Sequence, residues 1–130
     1  MTIRNLILVL GDQLSMRNPA LLAGDRARDR ILMVEVAEET TYVRHHKKKI
    51  AFILSAMRHF CAALREDGWT VDYVRLDDDP NRGSFRGEVE RAAAQHGPER
   101  ICVLEPGEWR VRADMDTWQA ALGRSVGIFE

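Results

Sequence analysis

Lysine is nearly missing from this sequence: only Lys47, Lys48 and Lys49 stand among its 19 basic residues. Against 20 acidic residues the formal net charge is −1, without the basic excess of a dedicated nucleic-acid binder. Cysteine is scarce as well. Cys61 and Cys102 are too few for a four-cysteine zinc site or an iron–sulfur cubane, and are expected as buried free thiols in a reducing compartment. Long apolar runs are missing: Leu6 to Leu10 is cut off by Gly11-Asp12, too short to span a bilayer and without a cleavage site after it. Neither GxGxxG nor GxxxxGK[ST] occurs, and no serine has a nucleophile-elbow context. These absences point away from a membrane protein, a Walker-type nucleotide site and a serine hydrolase. A cytoplasmic location is expected.

What is present is ordinary globular composition, with 45% hydrophobic and 30% charged residues in 130. That length suits one domain, 1–130, with a core of its own. Ile3–Leu10 reads as a strand whose apolar residues run on without alternation, the pattern of a strand covered on both faces. Ile31–Val36, Val71–Leu76 and Ile101–Leu104 repeat it, and Ser125–Phe129 does so more weakly. Ile50, Ile53, Met57, Phe60 and Leu64 line one face of a long helix, capped by Thr40 or Thr41 and stopped at Gly68. Further helices are expected over Ser84–Gln95 and Trp109–Leu122, with Leu14 and Pro19–Leu22 giving a short one in the first crossover. Strands alternating with helices predict an α/β fold: a Rossmann-like five-stranded parallel sheet with helices on both faces.

In such a sheet ligands sit at the carboxyl ends of the strands, near the reversal of strand order. Three loops fall there. Gly11-Asp12-Gln13 offers a tight reversal, an acceptor and an amide, suited to a heterocycle edge or a sugar hydroxyl, or equally to a plain turn in which Asp12 takes local backbone donors. Glu35 stands between Val34 and Val36, where a carboxylate needs an exposed strand end or hydrogen-bond donors. Glu38 and Glu39 suit either ribose hydroxyls or the positive end of the next helix. Glu105-Pro106-Gly107-Glu108 is a turn into a helix, with Trp109 and Arg110 placed to start that helix or to cover a bound ring. His45-His46-Lys47-Lys48-Lys49 is the one concentrated positive patch, a solvated face or a docking surface. Adjacent histidines diverge by about 100° on a helix, so no metal site is expected. His59 and His96 read as surface or capping groups, and no catalytic constellation is present.

The stretches LVLGDQLS (8–15), EVAEETTYVRHHKKKIAFILSAMRHF (35–60) and GEWRVR (107–112) resemble the N-terminal domain of photolyase-related proteins: the iron–sulfur bacterial cryptochromes and the prokaryotic (6-4) photolyases. The resemblance implies an α/β domain that binds an antenna chromophore, 6,7-dimethyl-8-ribityllumazine. It implies a C-terminal helical domain, outside this chain, holding FAD, a four-cysteine [4Fe–4S] cluster and the pocket for damaged DNA. That domain and, through it, damaged DNA are the expected partners. Carried over by resemblance, the antenna residues are Gly11, Asp12, Gln13, Leu14, Glu35, Glu39 and Ile53. Glu39 and the Asp12-Gln13 pair meet polar groups of the lumazine or its ribityl chain, and Ile53 packs on the ring. Repair and blue-light sensing both remain open, as does a stand-alone nucleotide-binding or interaction module without catalysis.

Overall fold

The computed structural model describes residues 3–11, 13–35, 47–75, 85–106 and 109–129; for 47–51 and 109–110 it describes the backbone alone. Among the described residues there are five strands: β1 (Asn5–Leu8), β2 (Arg30–Val34), β3 (Val71–Val74), β4 (Arg100–Leu104) and β5 (Ser125–Phe129). Four helices accompany them among the same residues: α1 (Pro19–Leu22), α2 (Lys47–Glu66), α3 (Phe85–His96) and α4 (Trp109–Leu122). All strand pairs are parallel, in the order β3-β2-β1-β4-β5. The expected Rossmann-like α/β sheet is what forms.

Alternate residues of β1 enter opposite cores, so its unbroken apolar run is accounted for. Leu6, Leu8 and Leu10 join Phe85, Val89, Met115 and Trp118, the side covered by α3 and α4. Ile7 and Val9 join Ala20, Leu21, Met57, Cys61 and Leu64, the side covered by α1 and α2. Helices therefore stand on both faces, as a sheet with two apolar sides requires. No helix among the described residues is long and apolar enough to cross a membrane.

The strands are mostly shorter than the apolar runs. β1 stops at Leu8 although Val9 and Leu10 are buried, because the chain is already turning: the Leu10 N–H donates to the Gln13 side chain at 3.3 Å. β2 and β4 each begin one residue early, at Arg30 and Arg100, whose backbones already pair with the neighbouring strands. α3 lies one residue later than Ser84–Gln95, ending at His96, and α4 keeps its expected bounds. The helix cap at Thr40 or Thr41 and the strand residues Val36 and Leu76 lie outside the described residues.

The stop of α2 at Gly68 has a complete chemical account. Trp69 N–H donates to Leu64 O at 3.0 Å and Gly68 N–H to Arg65 O at 3.1 Å, the paired bonds of a Schellman cap. The cap needs a left-handed residue, and Gly68 has φ +94°. Trp69 and Leu64 then share one apolar cluster, which fixes α2 to the sheet.

Candidate functional site

Strand order reverses between β1 and β4, so the crevice at their carboxyl ends is where the fold offers a ligand site. The turn after Leu10 carries Gly11 and delivers Gln13 into that crevice. Gln13 is only 8% exposed. Its Oε1 accepts from Leu10 N–H, and its Nε2 donates to Leu104 O at 3.0 Å, bracing the end of β1 against the end of β4. The Gln13 amide is thus spent within the chain, a use that its sequence context did not disclose.

Beside this brace lies a groove of about 550 Å³, walled by Gln13, Leu14, Ser15, Asn18, Leu104 and Glu105 among others. Its floor is tied down on the far side as well, since Glu105 N–H donates to Phe129 O at 2.6 Å. The Glu105 carboxylate faces Arg112 at 3.5 Å, and Arg112 also pairs with Asp116. Asp116 first, and Glu105 with it, hold the Arg112 guanidinium above its ordinary pKa. Asn18 caps α1: its Oδ1 accepts from Ala20 N–H at 2.9 Å, ahead of Pro19 in the first helical position. The Asn18-Pro19 pair is the sequence signal of this cap.

Glu35 ends β2 on the α1/α2 side and has no exposed surface. Arg58 of α2 forks it, with Nε to Oε2 at 2.8 Å and Nη2 to Oε1 at 3.0 Å, and the Tyr73 hydroxyl of β3 donates to Oε2. Burial first, then the hydrogen bond to Glu35, pushes the Tyr73 phenol well above its ordinary pKa. The same carboxylate raises Arg58 further. The requirement that a carboxylate in an apolar run be hydrogen-bonded is met, by two partners that carry no sequence signature. Ile53 is half-buried on α2 against the same core. The structure therefore brings Gln13 and Leu14 to the groove, with Gly11 in the turn that leads there, and sets Glu35 and Ile53 on the α2 side. Asp12 and Glu39 lie outside the described residues, as do Glu38, His45, His46, Gly107 and Glu108.

The family model described as deoxyribodipyrimidine photo-lyase-related protein matches residues 7–130. The chain belongs to the photolyase-related family. A (6-4) photolyase of Agrobacterium fabrum (strain C58 / ATCC 33970) is 56% identical over 123 residues, covering 95% of this chain. The chain spans 24% of the length of that relative, so the photolyase-related domain is the kind of unit that belongs to a larger protein.

Elsewhere in this photolyase-related domain the cysteines and histidines singled out by sequence have ordinary surroundings. Cys61 and Cys102 are free and buried, and burial pushes both thiols up. His59 is exposed on α2. His96, closing α3, lies 2.7 Å from Asp72, which Arg30 also forks. Lys47–Lys49 open α2, and Trp109 and Arg110 open α4.

Proposed function

We propose that this domain binds the antenna 6,7-dimethyl-8-ribityllumazine for a light-driven (6-4) photolyase, whose FAD, iron–sulfur cluster and lesion pocket lie in a helical domain outside this chain. The observation that carries the reading is the groove at the strand-order reversal. Its volume of about 550 Å³ lies in the range of small-molecule sites, and its walls mix apolar Leu14, Pro19 and Leu104 with polar Gln13 and Asn18. That mixture fits an amphipathic ring bearing a polyol. Similarity to a (6-4) photolyase over 95% of the chain supports the same reading.

The chemistry such a chromophore supplies is absorption of light and transfer of the excitation to a flavin. This chain's residues bind and orient it and exclude water. In this reading Gly11, Asp12, Gln13 and Leu14 form one wall. Gln13 acts there by shape, since its amide is already bonded. Glu35, held by Arg58 and Tyr73, stands at the carboxyl end of β2 on the α2 side. Glu39 takes a polar group of the ring, and Ile53 packs on it.

The test is a calorimetric titration of the intact protein with 6,7-dimethyl-8-ribityllumazine. Saturable one-to-one binding is expected, weakened about tenfold or more by Glu39→Gln, the loss of one good charged hydrogen bond. Absence of binding to the intact wild-type protein overturns the antenna assignment. Repair is checked separately, by illuminating the flavin-loaded protein with DNA containing a (6-4) lesion.

A further inference from the structure

One buried donor at the wall of the groove has no partner among the described residues. Asn18 is 2% exposed, and its other polar atoms are all satisfied. Its N–H donates to Ser15 O at 3.1 Å, its carbonyl accepts from Leu21 and Leu22 N–H, and Oδ1 accepts from Ala20 N–H. Nδ2 alone is buried without a hydrogen bond. Turning the amide over would set the NH₂ against the Ala20 N–H and lose the cap, so the orientation is imposed. A buried amide donor left unmet is costly, because it has given up its water without a replacement. Asn18 lines the same groove as Gln13 and Glu105.

We propose that Asn18 is a ligand-binding residue of this groove, its Nδ2 donating to a hydroxyl oxygen of a neutral polyol chain. The inference rests on the lumazine reading and names the part of the ligand that lies here, the ribityl chain. The charges at the groove favour a neutral ligand over a phosphate. Arg17 and Glu105 contribute one charge of each sign, and Glu105 is already paired with Arg112. The Gln13 amide is spent on Leu10 and Leu104, and the Ser15 hydroxyl accepts from Arg17 N–H at 3.1 Å. A hydroxyl accepts from Asn18 and still has its own proton to donate, for example to the Glu105 carboxylate. An alkyl group or a ring face would leave Nδ2 unmet.

The experiment compares 6,7-dimethyl-8-ribityllumazine with 6,7,8-trimethyllumazine, which has the ring without the hydroxyls, by calorimetry on the intact protein. Asn18→Asp keeps the cap oxygen and replaces the donor by an acceptor, while Asn18→Ser keeps a shorter cap and loses the reach. Thermal unfolding followed by circular dichroism establishes that each variant is folded, and either one suffices. The ribityl compound is expected to bind about 5–15-fold more weakly to the variants, the worth of one hydrogen bond, with the trimethyl compound unchanged. Equal losses for both compounds, or no loss for the ribityl compound, overturn the proposal. Binding of inorganic phosphate that Asn18→Ser abolishes makes the groove an anion site and overturns it too. A wild-type protein that takes up neither lumazine removes the antenna reading itself, and the polyol assignment falls with it.

Discussion

A carboxylate without exposed surface needs donors, and Glu35 draws them from two other elements. Arg58 is 44% exposed at its side chain, so it delivers a solvated charge to a buried one. Removing it takes the Arg58 charge from the buried carboxylate and leaves the Tyr73 hydroxyl still donating. Arg58→Met is expected to destabilise the fold by about 3 kcal/mol, the low end for breaking a buried pair because Arg58 keeps contact with water. Glu35→Met combined with Arg58→Met is expected to cost less than Arg58→Met alone, since no charge is then left unpaired. Urea unfolding of the three proteins measures both, and a double variant less stable than the single one would show that the ion pair itself carries the stability. Sequence singled out Glu35 because charge inside an apolar run is conspicuous. It was silent on Arg58 and Tyr73, which are 23 and 38 residues away and ordinary in their local context. Gln13 is the complementary case. It stood out by motif, yet its amide N–H donates to the carbonyls of Leu104 and Glu105 at the end of β4, 91 and 92 residues on, which no local pattern encodes.

At the scale of elements, the join between α1 and the sheet depends on one small residue. A Cβ at Gly24 would stand 2.8 Å from Trp69 Cη2 and 2.9 Å from Ile7 Cδ1, both in the packed α1/α2 core. Gly24→Ala is expected to cost about 1–3 kcal/mol through overpacking, read as a lower urea midpoint with an unchanged slope. Gly68→Ala attacks the end of α2 differently, by forcing a side chain into a φ of +94°, at about 1 kcal/mol. Helix ends were legible because caps are local: Gly68, and the Trp109 and Leu122 bounds of α4, follow from residue type alone. Strand ends were less so. A strand ends where its neighbour stops pairing, while burial runs on: Val9 and Leu10, past the end of β1, still lie in the two cores.

At the scale of the whole molecule, two carboxylates tie strands together, one buried and one half-buried. The Asp29 side chain takes Arg4 at 2.6 and 3.0 Å, Asn5 N–H at 3.0 Å and Asp25 N–H at 2.7 Å. Burial pushes its carboxyl up, but Arg4 and the backbone donors outweigh that and hold it below the ordinary range. Asp72 follows the same pattern, with burial overcome by Arg30 and then His96. A lowered folded-state pKa contributes stability that is full above the unfolded value, about 4, and is lost as pH falls through the folded value. Stability is therefore expected to drop on acidification below about pH 4. Asp29→Asn should be less stable at pH 7 by about 2 kcal/mol and lose less on the way down. Urea unfolding at a series of pH values checks this, and parallel curves for the two proteins would remove Asp29 from the account.

The sequence by itself determined the α/β class, the number of strands and their alternation with helices along the chain, the two covered faces and the photolyase-related family. Those properties are written in local periodicity, in turn residues and in contiguous motifs, each readable within some twenty residues. Only the tertiary structure decided what the conspicuous residues do. It spends the Gln13 amide on β4, sinks Glu35 under Arg58 and Tyr73, and leaves Asn18 with a buried donor at the groove. The physical reason is that a buried polar group must find its partner wherever the fold brings one. In a parallel sheet that partner comes from a strand or helix far along the chain.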